Sequence, residues 1–323
     1  MMAPRARLLA AAGYLPADVV TNDALAARHG LDTSDAWIIE RTGIRQRHFA
    51  APGETASAMG AEAARRALAL AGVAAQEVDL VVVATSTPDS AFPATAARIQ
   101  AAIGATRGFA FDLSAACTGF IYGLGVADSL IRTGAARCAL VIGTEVYSRI
   151  LDWTDRGTCV LFGDGAGAVL LRAESADGPG ILSTHLHADG RQAGILEVEG
   201  GAGSTGGPGL LRMQGKDVFR HAVTKLAAVV DEALDANGFT HADLSWLVPH
   251  QANLRIIEGM GKKLHLPPER VVVTVDRHAN TSAASIPLAL SEAWADGRIR
   301  PGDLVLMEAI GGGLTWGAAV VRI

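Results

Sequence analysis

Four stretches of this chain recur in the same order about 150 residues further on. VDLVVVATSTPD is matched by LSWLVPHQANL, GFAFDLSAACTG by VVVTVDRHANTSAAS, CALVIGTE by DLVLMEAIGG, and CVLFGDGAGAVLL by LTWGAAVVRI. An order-preserving duplication leaves few folds open. Apolar strand-like runs alternate with helical patterns such as AARRALALAGVAA, HAVTKLAAVVDEALDANG and IPLALSEAWADG, which is the signature of an α/β protein with covered sheets. Two like halves, residues 1–174 and 175–323, would bury their sheets against each other and bring loops from both to one place.

The bulk properties narrow the function. The chain has 323 residues, half of them hydrophobic, enough for a large core. Its net charge of −5 gives no global basic field for nucleic acid, so an acidic partner would need a local basic patch. The three cysteines, Cys117, Cys138 and Cys159, cannot all pair, and the last two sit in apolar strand-like runs. That fits a reducing cytoplasm. MMAPRARLLAAAGYLPA imitates a weak leader, but its apolar run is short and broken by Gly13 and Pro16, so a first buried strand is expected. No stretch is long and apolar enough to suggest a membrane span.

Three residues carry the chemistry. Cys117, His250 and Asn280 each follow a strand-like run and precede a helical one. Taken singly, each has an ordinary reading: a small core thiol, a satisfied imidazole, a helix cap. Their recurrence at the same kind of junction is harder to dismiss. A thiol at a helix N-terminus is expected to ionise more readily. A thiolate with an imidazole and an amide is equipment for forming an acyl-enzyme and holding its oxyanion. Trp37 and Arg41, four apart, would share a helix face, and so would Arg255 and Lys262, with Lys263 adjoining.

Other motifs carry less. Gly201-Ala-Gly203-Ser-Thr-Gly206 matches GxGxxG, but more glycine and a proline follow, so ILEVEGGAGSTGGPGLLRM reads as a flexible loop. Gly163, Gly165 and Gly167 read as a turn or close strand packing. His185 and His187 form a pair with no third ligand at metal spacing, so no metal site is expected.

SDAWIIERTGIRQRHFA, DLSAACTGF, RGTCVLFGDGAGAVLL, HQANLRI, DRHANTSAASIPLAL and GGGLTWGAAVVRI resemble, in order, the motifs of the β-ketoacyl-[acyl carrier protein] synthase III family of the thiolase-like superfamily. The resemblance spans nearly the whole chain. It implies a five-layered αβαβα fold of two duplicated halves, a homodimer, and a condensing acyltransferase of type II fatty acid synthesis. Such an enzyme joins a short acyl group from acyl-CoA, acetyl-CoA first, to malonyl-[acyl carrier protein]. No cofactor is implied, since acyl-CoA is a substrate.

The resemblance assigns roles. Cys117 would hold the acyl group, and His250 Nε2 and the Asn280 amide would stabilise an enolate. The N–H groups of Cys117 and Gly312 would form the oxyanion hole. Trp37, Arg41, Arg156 and Gly157 would hold the adenine side of CoA, and Phe219, Ala252 and Asn253 the pantetheine. Arg255, Lys262 and Lys263 would meet the carrier protein. Phe92 would reach the partner subunit's acyl pocket. Lys216 departs from the asparagine of some relatives. Competing readings are a sibling condensing enzyme of secondary metabolism, a carrier-binding scaffold without turnover, and a cysteine hydrolase.

Overall fold

The computed structural model describes residues 3–323. In the first half β1 (Arg5–Tyr14), β4 (Leu80–Ala84), β5 (Phe109–Leu113), β6 (Cys138–Glu145) and β7 (Gly165–Glu174) form a sheet in the order β1-β7-β6-β4-β5. In the second half β8 (Gly180–Ala188), β11 (Trp246–Pro249), β12 (Leu304–Gly311) and β13 (Thr315–Arg322) run β11-β12-β13-β8. Both sheets share one plan. The strand pairs β4/β6 and β11/β12 are parallel, whereas β6/β7, β7/β1, β12/β13 and β13/β8 are antiparallel.

The duplicate of β5 is the exception. RVVVTVDRHANTSAAS was expected to contain a strand, but only a single parallel bridge, Leu247 to Val271, occupies that position. The cause is local. The Gln251 side-chain oxygen accepts from the N–H groups of Thr274 (2.8 Å) and Val275 (3.1 Å), which turns the chain into the short α9 (Val275–His278).

Three apolar clusters define five layers. α3 (Ala56–Ala71) and α4 (Thr95–Ile103) cover the outer face of the first sheet, with Met59, Ala63 and Ile99 against Val81, Val83 and Leu140. α5 (Gly119–Arg132) and α10 (Ser285–Ala295) lie between the sheets, where Phe120, Leu124 and Leu290 meet Val82 and Val141 from one side and Val248, Val305 and Met307 from the other. α7 (Gly215–Asp235) and α8 (Leu254–Lys263) close the stack, with Leu226, Val230 and Met260 on Leu247 and Leu306. Strands covered on both faces need no polar alternation, which is why all eight residues of β6 and of β12 are buried. Gly167 lets α10 approach closely: a β-carbon there would stand 2.7 Å from Pro287 Cβ.

Two excursions shape the site. The antiparallel pair β2 (Asp18–Thr21) and β3 (Gln46–Phe49) brackets α1 (Asn22–His29) and α2 (Asp35–Thr42), and Ile38 and Ile44 join the cluster around α7 and α8. The first half thus reaches across onto the second. The stretch read as a flexible loop is instead a β-hairpin, β9 (Leu196–Gly201) and β10 (Gly207–Met213), with Leu196 opposite Met213. Its glycines build the turn, while the flanking LEVE and LLRM supply paired residues. Among the described residues, no helix is long and apolar enough to cross a membrane.

Candidate active site

β5 delivers Cys117 into a tight turn, Ala116–Thr118, immediately ahead of α5. Ala116 has φ +45°, a conformation that costs a non-glycine residue energy and persists only when its surroundings hold it. The hold comes from the other half. Thr118 Oγ1 donates to the Thr315 carbonyl (2.9 Å), and Thr315 Oγ1 donates to the Ala115 carbonyl (3.0 Å). The hairpin between β12 and β13 therefore clamps the Cys117 turn, with Gly311 and Gly312 packed against it and against Leu196.

His250 continues β11, and its N–H donates to the Glu308 carbonyl on β12 (2.8 Å). Its ring nitrogen Nδ1 lies 2.6 Å from Ser285 Oγ, at the start of α10. Asn280 is fixed by its backbone, whose N–H donates to the Leu161 carbonyl (2.9 Å) and whose carbonyl accepts from Gly163 N–H (3.0 Å). The Asn280 side-chain oxygen accepts from Ser282 N–H (2.9 Å), which leaves its NH2 group as the end available for the cavity.

Cys117, His250 and Asn280 line a single cavity of about 220 Å³. Trp37, Arg41, Gly157, Phe219, Ala252 and Asn253 line the same cavity. At its mouth the Arg41 guanidinium lies 4.4 Å from the Trp37 ring centre, and Arg156, on α6 (Arg156–Cys159), lies 5.2 Å from the same ring. Arg156 is the one residue of this group that approaches through Trp37 and does not itself line the cavity. Arg255, Lys262 and Lys263 are exposed on α8, and Arg255 Nη2 donates to the Glu40 carbonyl of α2 (2.9 Å). The basic helix is thereby tied to the helix that carries Trp37. Lys216 is exposed at the start of α7. Phe92 is 86% exposed and does not line the cavity of its own chain, which removes an ordinary core role for it.

The electrostatics correct one expectation. Cys117 was expected to stand as a thiolate. Burial instead pushes its thiol up to about 12, the nearby Ser282 hydroxyl offsetting part of this and the Glu145 carboxyl adding to it. Burial alone pushes His250 down to about 3. Burial disfavours both charged forms, and so favours a thiol beside a neutral imidazole.

Several residues in and around the cavity were not singled out from the sequence. Glu145 is fully buried at the end of β6. It accepts from Thr87 Oγ1 (2.6 Å), Ser86 N–H (3.0 Å) and Thr85 Oγ1 (3.2 Å), and burial still pushes it up to about 7. An acid closing an otherwise apolar run was the available signal. Leu196 and Met213 line the cavity from the hairpin, and Ile310 and Phe162 line it from beside the clamp. His185 and His187 share Glu232, at 2.9 and 2.7 Å. Cys138 and Cys159 are free and buried.

Comparison with known proteins decides the family. Residues 111–190 match the model of 3-oxoacyl-[acyl-carrier-protein] synthase III, and residues 234–323 match that of its C-terminal part. A β-ketoacyl-[acyl-carrier-protein] synthase III from Acidiphilium cryptum is 70% identical over 96% of both chains. The chain belongs to this family. It is a condensing acyltransferase of fatty acid biosynthesis. The crystal structure of 3-oxoacyl-[acyl-carrier-protein] synthase III from Aquifex aeolicus superposes with a TM-score of 0.93 at 45% identity, covering 98% of this chain and 100% of that one. The priming β-ketosynthase of the R1128 polyketide pathway superposes at 0.92 with 38% identity, covering 99% and 97%. The first matched segment contains Cys117, and the second contains His250, Asn280 and Gly312. Membership in a condensing family sets aside the scaffold reading.

Proposed function

We propose that the protein condenses a short acyl-CoA, acetyl-CoA first, with malonyl-[acyl carrier protein], releasing CoA and carbon dioxide and starting type II fatty acid synthesis. The observation that carries this is the convergence of Cys117, His250 and Asn280 on one narrow cavity whose mouth is built by Trp37 and Arg41. Adenine would lie against the Trp37 ring and the guanidinium of Arg41, with Arg156 and Gly157 beside them. Pantetheine would pass Phe219, Ala252 and Asn253.

Acyl transfer comes first. The Cys117 sulfur attacks the thioester carbonyl, and the thiol proton ends on the departing CoA sulfur. The tetrahedral oxyanion would take N–H donors from Cys117 and Gly312; the Gly312 N–H has no hydrogen-bond partner among the described residues. Malonyl-[acyl carrier protein] then enters, guided by Arg255, Lys262 and Lys263. Loss of carbon dioxide leaves an enolate whose oxygen accepts from His250 Nε2 and Asn280 Nδ2. The enolate carbon attacks the acyl carbonyl, Cys117 leaves as a thiolate that takes one proton from solvent, and 3-oxoacyl-[acyl carrier protein] departs. No cofactor enters these steps.

An exposed Phe92 supports a homodimer in which this ring enters the partner's acyl pocket. The likeness to the polyketide priming enzyme favours one second reading, the same chemistry with a different primer, which a panel of acyl-CoAs separates.

Two variants test the assignment. Cys117→Ala should abolish acyl transfer while leaving malonyl decarboxylation measurable. Asn280→Ala should impair decarboxylation far more than self-acylation. Full condensation activity in both would overturn it.

A further inference from the structure

The His250 ring is held at Nδ1 by a partner that the condensation scheme has not used. Ser285 Oγ lies 2.6 Å from Nδ1, and both residues are buried. Either atom can supply the proton, and the neighbours decide which does. Ser285 Oγ already accepts from the Gln251 N–H at 3.3 Å. A hydroxyl has one proton to give and two lone pairs. Were Nδ1 the donor, the serine oxygen would receive two N–H groups and its own proton would find no acceptor among the hydrogen bonds of the described residues. An unmet buried donor costs about 1–3 kcal/mol. With the hydroxyl donating to Nδ1, both the serine proton and Nδ1 are satisfied, and His250 lines the cavity. The imidazole is neutral, so its single proton then sits on Nε2.

We infer that Ser285 is a positioning residue, whose hydroxyl, oriented by the Gln251 N–H, locks His250 with its proton on Nε2 so that the cavity meets a hydrogen-bond donor. The inference rests on the condensation reading for its consequence but not for its geometry. Gln251 makes the support rigid. Its side-chain nitrogen donates to the carbonyls of Pro249 (2.8 Å) and Val272 (3.1 Å), and its oxygen is filled by Thr274 and Val275. The arrangement is opposite to that of a hydrolytic triad, in which a carboxylate at Nδ1 leaves Nε2 as a base. A serine hydroxyl at Nδ1 makes Nε2 a donor, suited to an enolate oxygen and unsuited to activating water or the Cys117 thiol.

The test is nitrogen NMR on the full-length protein with 15N-labelled histidine, with His250 assigned by comparison with His250→Asn. The wild type should show a protonated Nε2 and an unprotonated Nδ1 at neutral pH. Ser285→Ala should lose this single tautomer and lower kcat for malonyl decarboxylation tenfold or more, with KM little changed, and Ser285→Thr should restore both. A proton on Nδ1 in the wild type, or a Ser285→Ala protein with unchanged tautomer and unchanged decarboxylation, would overturn the inference. Should Ser285→Ala fail to fold, the wild-type spectrum alone decides. The correct tautomer in a protein that does not decarboxylate malonyl thioesters would sink the condensation reading and leave the role of Ser285 intact.

Discussion

Gly311 faces the backbone nitrogen of Cys117 so closely that a β-carbon on it would stand 2.6 Å from that atom. The two residues come from opposite halves, and the contact is backbone on backbone, so neither can yield by a rotamer change. Gly311→Ala should therefore displace the turn that carries Cys117. We expect a loss of about 1–3 kcal/mol of stability, as for other overpacked sites, together with loss of self-acylation. Thermal denaturation and intact mass after exposure to acyl-CoA check both. Gly203→Ala, where a β-carbon meets nothing within 4 Å, is the control and should behave as wild type.

The buried thiol predicts an unusual reactivity profile. With Cys117 held up at about 12 and His250 held down at about 3, no thiolate–imidazolium pair stands at neutral pH. Alkylation of Cys117 by iodoacetamide should climb with pH up to about pH 9 without a plateau, since only the thiolate reacts. A plateau beginning below neutrality would show a standing ion pair.

Glu308 makes a prediction about stability. It is buried, its Oε2 has no hydrogen-bond partner, and burial raises it from 4.5 to about 8. The native state keeps a proton that the unfolded chain releases, so stability is lost as pH rises from the unfolded value through the folded one. Glu308→Gln removes that titration. Relative to wild type, the variant should gain on the order of 3–5 kcal/mol between about pH 5 and about pH 9. Glu145 has the same sign but is present in both proteins and cancels. Urea denaturation at the two pH values reads the difference, and an unchanged gap refutes it.

Trp37→Ala should raise KM for acyl-CoA about tenfold with little change in kcat, as the loss of a stacking and cation–π platform requires. Steady-state kinetics with acetyl-CoA varied at saturating carrier substrate would show it. A fall in kcat at constant KM would place Trp37 elsewhere in the cycle.

Arg255→Glu with Lys263→Glu should weaken use of malonyl-[acyl carrier protein] at least tenfold and flatten its salt dependence, while sparing self-acylation from acyl-CoA. Equal loss in both half-reactions would count against a carrier-docking role.

Much of this was legible in the sequence because the duplication fixes two strand orders at once. Three of the matched sequence pairs occupy equivalent positions in the two sheets, β4 with β11, β6 with β12 and β7 with β13. The Trp37–Arg41 spacing also survived, since helical period alone sets it. Three things escaped. The strand expected after Arg270 is cut short by the Gln251 side chain, a contact that no local pattern encodes. The hairpin ending at Met213 was hidden by the glycines of its own turn. The ionisation of Cys117 was misjudged because helix position is visible in a sequence, whereas the depth of burial that opposes it is not.

The most direct test of the account is intact-mass and peptide mapping of the protein mixed with acetyl-CoA, then chased with malonyl-[acyl carrier protein]. One acetyl group per chain should appear on Cys117 and then leave as acetoacetyl-[acyl carrier protein] with an equal release of carbon dioxide. Acetylation at another residue, or discharge of the acetyl group as free acetate with no carbon–carbon product, would contradict it.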